Sequence, residues 1–191
     1  MKDALIKFLS KIDSLTSGEI KELADLMTVK EIKKNTTIVK QGQICNLCYF
    51  VLKGCLRQYV VLEGVEKTTA FYTEEDAVNF FTSFTTKTAS ESYLIALEDS
   101  ILLVGNPESE ADMYKSFPKL EQVVRRMMEQ DFGKTQDSFA RFITSTPEER
   151  YLNLLKDRPQ LAQRVPQHQL ASYLGITPES LSRIRKRIIT K

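Results

Sequence analysis

Residues 165–188, VPQHQLASYLGITPESLSRIRKRI, carry the pattern on which the organisation of the whole chain turns. Leu170, Ala171 and Leu174 form the inner face of a short helix. Gly175 ends it, because a left-handed cap suits a residue without Cβ. Ile176 turns back toward the core, Thr177 caps a second helix, and Pro178 fits its first position. Leu181, Ile184 and Ile188 make the inner stripe of that helix. Two helices joined by a tight glycine turn, with a small Ala at the crowded contact, predict a helix-turn-helix. On a helical wheel Glu179, Ser182, Arg183, Lys186 and Arg187 fall opposite Leu181, and Arg185 lies beside the apolar stripe.

That outer face has the chemistry a DNA major groove reads. Arg donates two hydrogen bonds to guanine O6 and N7, and Glu accepts from cytosine N4. Glu179 and Arg183 stand one turn apart and are the candidate base-reading pair. Thr177, Ser180, Lys186, Arg187 and His168 are candidate phosphate contacts, grouped around exposed helix-start amides. Charge agrees with this placement. Residues 147–191 hold nine Lys/Arg against four Asp/Glu, while the remainder holds 18 against 21. Charge alone fits a solvated surface better than a polyanion partner; the agreement of turn, caps and basic face selects double-stranded DNA.

Working toward the N-terminus, Thr146-Pro147-Glu148-Glu149 is a helix start in which Thr caps and Glu completes a capping box. Tyr151, Leu152, Leu154 and Leu155 supply the buried side until Pro159, so a boundary is placed near residue 145. Residues 118–143 read as one helix of about 39 Å, with Leu120, Val123, Val124, Met127, Met128, Phe132, Phe139 and Phe142 as apolar members. The stripe is imperfect between Met128 and Phe139, so a strict heptad is not supported. This helix either covers the domain before it or forms a seam with a second copy. From Lys30 to Val104 short β-rich runs alternate with turns: strands are expected near 37–39, 47–52, 55–62, 67–72, 93–96 and 100–104. Their spacing argues for an antiparallel sandwich or barrel, with Glu63-Gly64 as a hairpin turn. Residues 4–27 read as two short amphipathic helices.

Composition excludes several classes. In 191 residues, 42% hydrophobic and 27% charged side chains describe a globular chain able to bury a core. The longest apolar run, Leu47 to Leu52, is far too short to span a membrane, and the start MKDALIKFLSKIDSL is no secretory signal. Three cysteines make no disulfide framework and suggest a reducing, cytoplasmic setting. His168 is the single histidine, which argues against imidazole-rich metal sites and against a catalytic triad. A metal-dependent barrel enzyme needs inward His or carboxylates, and the β region contains no His. The chain is therefore read as a non-enzyme.

Taken with these residues, nearly the whole chain resembles the Crp/Fnr family of bacterial transcription regulators. The segment IVKQGQICNLCYFVLKGCLRQYVVLEGVEKTTAFY resembles the family's cyclic-nucleotide-binding-like jelly roll, with Gly42, Gly54 and Gly64 at its turns. LGITPESLSRIRKR falls at its recognition helix, and 118–143 at its dimer helix. The resemblance implies an α+β chain: an effector domain over 1–117, a dimerisation helix and hinge over 118–145, and a helix-turn-helix domain over 146–191. It implies a homodimer on a near-palindromic site, with Leu120, Val124, Met127 and Met128 on the dimer helix and RNA polymerase as a candidate partner. Glu179 and Arg183 match the family's base-reading residues, whereas Pro178 stands where many members carry Arg, which bears on the sequence bound. With Lys191 directly after that helix, a hairpin wing of the kind that can follow it in the family is not expected.

The effector region departs from the resemblance. Cyclic-nucleotide binders in the family use Gly-Glu followed by Arg-Ser or Arg-Thr, but AVNFFTSFTTKTASESYLIALED has no Gly and no Arg. Burying a phosphate without a paired cation costs several kcal/mol, so cyclic AMP is not expected as the effector, and no cofactor is expected. Phe71, Phe80, Phe84 and Lys87 are the candidates for lining a pocket; the simpler reading of the aromatics is the filled interior of the barrel. Some relatives carry an iron–sulfur sensor, but the Cys45-x2-Cys48 pair with Cys55 lacks a fourth ligand, and inert cysteines are the simpler reading. The rival to a DNA-binding regulator is a small-molecule or redox sensor of the same fold that no longer binds DNA.

Overall fold

Alternation along two central strands sorts the N-terminal residues into layers. The computed structural model describes residues 1–189, apart from the side chains of Pro107, Glu108, Ser109 and Ile189; Lys191, where the sequence ends, lies outside the described residues. Helices α1 (Lys2–Leu9) and α2 (Ser17–Leu26) precede β1 (Thr28–Ile32), β2 (Thr37–Val39), β3 (Cys48–Lys53), β4 (Leu56–Leu62), β5 (Val65–Tyr72) and β6 (Ala77–Val78). Then come α3 (Phe81–Thr86), β7 (Tyr93–Ala96), β8 (Ser100–Gly105), α4 (Pro107–Ser116) and α5 (Pro118–Thr144). The chain continues with α6 (Pro147–Asp157), α7 (Leu161–Arg164), α8 (Gln167–Tyr173) and α9 (Pro178–Ile189). Two four-stranded sheets have the orders β1-β8-β3-β6 and β2-β7-β4-β5. The β1/β8, β3/β8, β3/β6 and β2/β7 pairs are antiparallel.

The chain divides into two compact units, Met1–Gln58 with Phe71–Met127, and Tyr59–Ala70 with Met128–Lys191. In the first unit, successive strand residues point to opposite faces. Val51 and Leu102 therefore join Tyr49, Val78, Val39, Leu56, Leu94 and Ala96 in a core drawn from both sheets. Their neighbours Leu52 and Leu103, with Val29, face the other way and pack on Leu5, Leu9, Leu23, Ala24, Phe117 and Leu120 from the helices. Each fully buried aliphatic side chain in these layers contributes about 1.5–3 kcal/mol. Helix α2 opens on a capping box between Thr16 and Glu19. The Glu63-Gly64 turn closes β4 to β5 with both residues at positive φ (52° and 75°), the signature of a type I′ hairpin.

Strands β1 and β6 and helix α3 are absent from the sequence reading, each for a local reason. β1, TVKEI, is a mostly exposed strand with charged residues at its centre. β6 has two residues. α3, FTSFTT, is built of residues that favour strands and turns, and forms a single short helix closed by Lys87 in the left-handed region.

In the second unit α6–α9 enclose Tyr151, Leu154, Leu161, Val165, Leu170, Ala171, Leu174, Leu181 and Ile184. Helix α6 starts on the capping box the sequence announces, with Thr146 Oγ1 accepting from the Glu149 amide at 3.3 Å and the Glu149 carboxylate accepting from the Thr146 amide at 2.8 Å. The second half of α5 presents Met128, Phe132, Phe139 and Ile143 at 41%, 65%, 67% and 61% exposure. At 100° per residue these four fall within an arc of about 60°, one apolar stripe. Of the residues assigned to the dimer helix, Leu120 and Val124 pack inside their own unit, Met127 is half-buried and Met128 opens the exposed stripe. No helix among the described residues is long and apolar enough to cross a membrane.

Candidate nucleic-acid interface

The turn between α8 and α9 is held by its own backbone. Leu174 closes α8, and Gly175 follows at φ +70°. The Gly175 amide donates to the Ser172 carbonyl at 3.1 Å and the Ile176 amide to the Ala171 carbonyl at 3.0 Å. This pair of bonds is a Schellman motif, and it reverses the chain with little freedom. Thr177 then caps α9: its Oγ1 accepts from the Ser180 amide at 3.2 Å and donates to Ser180 Oγ at 3.1 Å. The capping pair ties up hydroxyls assigned to phosphate contact, although Thr177 itself remains exposed.

Helix α9 separates its faces as the wheel requires. Leu181 is fully buried and Ile184 5% exposed, whereas Glu179, Ser182, Arg183, Lys186 and Arg187 are exposed. Arg185 is intermediate, at the margin between the faces. Glu179 is held as a carboxylate below the usual range, first by its own backbone amide and then by the Thr177 hydroxyl, with the Arg183 charge adding to the effect. The acid and the guanidinium, four residues apart, are both exposed on the outer face. Arg187 is turned to α6, where Nη1 meets Glu148 Oε2 at 3.0 Å. His168 is exposed in the first turn of α8.

The effector-region residues occupy different settings. Phe71 is buried, and Phe80 packs against the inter-sheet core. Lys87 places its ammonium 4.5 Å from the centroid of the Phe84 ring. Ser83 accepts from the Cys45 amide at 2.8 Å and donates to the Thr88 carbonyl at 2.7 Å, fastening α3 to its flanking loops. The three cysteines form no disulfide with one another; Cys45 and Cys55 are buried and Cys48 is intermediate. Cys48 Sγ donates to Glu110 Oε1 at 3.1 Å, and burial together with that carboxylate pushes its pKa up to about 12. Among the described residues no group of three or more His, Cys, Asp or Glu is arranged to hold a metal ion.

Sequence reasoning passes over Arg150. Its Nε donates to the Phe142 carbonyl at 3.0 Å and its Nη1 to the Leu174 carbonyl at 3.1 Å, while the guanidinium lies 3.9 Å from the Phe142 ring centroid. Nothing in the local pattern distinguishes this arginine from a solvated one, because both carbonyls come from distant helix ends.

Residues 29–117, which include all the strands from β2 to β8, match the family described as Cyclic nucleotide-binding domain. The chain is 26% identical to the Fumarate and nitrate reduction regulatory protein of Vibrio cholerae, over 91% of its own length and 74% of that protein. It is 25% identical to the Anaerobic regulatory protein of Haemophilus influenzae, over 91% and 72% respectively. In structure it is similar to FixK2 from Bradyrhizobium japonicum, with a TM-score of 0.70 at 18% identity over 86% of this chain and 85% of that one. Over most of its length the chain is thus similar to proteins named as regulators, and its fold is that of FixK2.

Proposed function

We propose that the chain is a sequence-specific DNA-binding transcription regulator that acts as a homodimer, with α8 and α9 as its helix-turn-helix and α9 as the recognition helix. The observation that carries this reading is the division of α9: an inner face of Leu181 and Ile184 is buried, and Glu179 and Arg183 stand together on the open side. Glu179 and Arg183 read base edges, and Lys186, His168 and the α9 start meet phosphates. Arg187, engaged by Glu148, braces the helix as well as adding positive charge. The N-terminal part, 1–117, is the effector domain, 118–145 the dimerisation helix and hinge, and 146–191 the DNA-binding domain. The exposed Met128, Phe132, Phe139 and Ile143 stripe supports pairing of α5 with its copy. Two recognition helices then enter successive major grooves about 34 Å apart, on a near-palindromic site. RNA polymerase is the further partner such a regulator engages. Cyclic AMP is not the effector, since the only cation of the equivalent stretch, Lys87, rests on the Phe84 ring.

Selection from random DNA with the purified protein tests the proposal. A palindromic consensus is expected, and Arg183→Ala should lower the preference for it by roughly 5- to 150-fold, the loss of one bidentate base contact. Equal affinity of the wild-type protein for selected and random DNA overturns it. Micromolar binding of cyclic AMP in calorimetry overturns the effector statement.

A further inference from the structure

We infer that Arg150 is the positioning residue that fixes the direction of the recognition helix relative to the long helix, and through it the spacing of half-sites the protein accepts. The inference rests on the DNA-binding reading above. Phe142 lies in the last turn of α5, where carbonyls have no partner within the helix. Leu174 closes α8, and the turn that follows uses the carbonyls of Ala171 and Ser172, leaving that of Leu174 for another donor. Arg150, from the first turns of α6, donates to both Phe142 and Leu174 and stacks on the Phe142 ring. A guanidinium does this because its donors sit on separate edges of one rigid plane whose face remains free to stack; a lysine ammonium has no such plane.

Neighbouring contacts extend the joint into a frame. Arg141 of α5 pairs with Asp157 at 3.0 Å, so α6 is tied to α5 near both of its ends. Glu148 of α6 pairs with Arg187 of α9 at 3.0 Å. Gly175 makes room for the assembly: a Cβ there would stand 3.2 Å from Arg150 Nη1 and 3.3 Å from Phe142 Cζ. The direction of α5 is thereby passed to α9 through one side chain that lies outside α9.

The test uses the full chain on the selected palindrome and on versions with one or two base pairs added to or removed from its centre. A single base change at the position read by Arg183 serves as the half-site control. Arg150→Gln should lose the advantage of the natural spacing by about tenfold, as two charge-assisted hydrogen bonds are removed, while the half-site preference stays within about twofold. Arg150→Lys and Phe142→Leu should fall between, and they carry the test if Arg150→Gln does not fold. Unchanged spacing discrimination overturns the inference, and so does a parallel loss of both preferences, which marks a general structural role. Failure of the wild-type protein to select any palindrome defeats the DNA-binding reading instead. The joint is then read without DNA, from spin labels at Gln136 and Ser182 on chains diluted in unlabelled protein. A distance distribution that broadens in Arg150→Gln supports the coupling, and an unchanged one refutes it.

Discussion

Gly175→Ala separates two costs that meet at one position. The backbone there has φ +70°, and a left-handed conformation costs an L-residue roughly 1–2 kcal/mol. The added Cβ would also meet Arg150 Nη1 at 3.2 Å and Phe142 Cζ at 3.3 Å. Both atoms are outer ends of side chains and can retreat by a few tenths of an ångström, so this contact adds at most about 1 kcal/mol. The sum, about 1–3 kcal/mol, is a fivefold or larger change in the unfolding equilibrium. Gly175→Asn brings the same Cβ, yet its short polar side chain is tolerated in this backbone region. The Ala–Asn difference therefore measures the backbone cost, and the Asn–Gly difference measures the contact. Urea unfolding followed by far-ultraviolet circular dichroism gives the total, and hydrogen exchange at the Ile176 amide, bonded to Ala171, reports the turn itself. An alanine variant within about 0.5 kcal/mol of wild type, or an asparagine variant worse than alanine, refutes this account of the turn.

Three further outcomes are expected. Glu63→Asn should raise stability by about 1 kcal/mol in the same unfolding assay, since Glu63 holds φ +52° in a turn that favours Asn-Gly. Thr146→Ala should cost about 1 kcal/mol near neutral pH through loss of the α6 cap. The Thr146 amide and hydroxyl hold the Glu149 carboxyl below its ordinary 4.5, so the stabilisation is complete above that value and drains away as pH falls through the lower folded-state value. The gap between wild type and variant should accordingly narrow in acid without closing, because the bond from the Glu149 amide to the Thr146 hydroxyl does not depend on the carboxylate; a gap that widens there contradicts the assignment. Cys48, raised to about 12, carries roughly one thiolate in ten thousand at pH 8, and iodoacetamide should modify it far more slowly than a free cysteine in peptide mapping.

The C-terminal reading was legible because each of its signals is local. Gly175, Thr177 and Pro178 fix the turn within four residues, and Leu181 with Ile184 fix which side of α9 is buried. The same holds for the Thr146–Glu149 box and the Glu63-Gly64 hairpin. Elements that owe their existence to distant neighbours were not legible. β1 is a strand through its pairing with β8, more than sixty residues later, and not through its own polar sequence. Arg150 and Arg187 look alike in the sequence as exposed basic residues, but their roles come from the Phe142 and Leu174 carbonyls and from Glu148. Leu120 and Met128 both belong to an apolar run on one helix, yet only packing against α1 and α2 withdraws Leu120 from the open face.

The bare ridge of Met128, Phe132, Phe139 and Ile143 has a genetic consequence. If two chains zip together along it, a truncated copy that keeps the ridge but stops before residue 146 will still pair with intact chains. Each such hybrid carries a single reading head, and one head on a two-headed operator forfeits the gain of holding both halves at once. Modest expression of the fragment should therefore poison the intact protein in living cells, and replacing Phe132 and Phe139 with polar residues should render the fragment harmless.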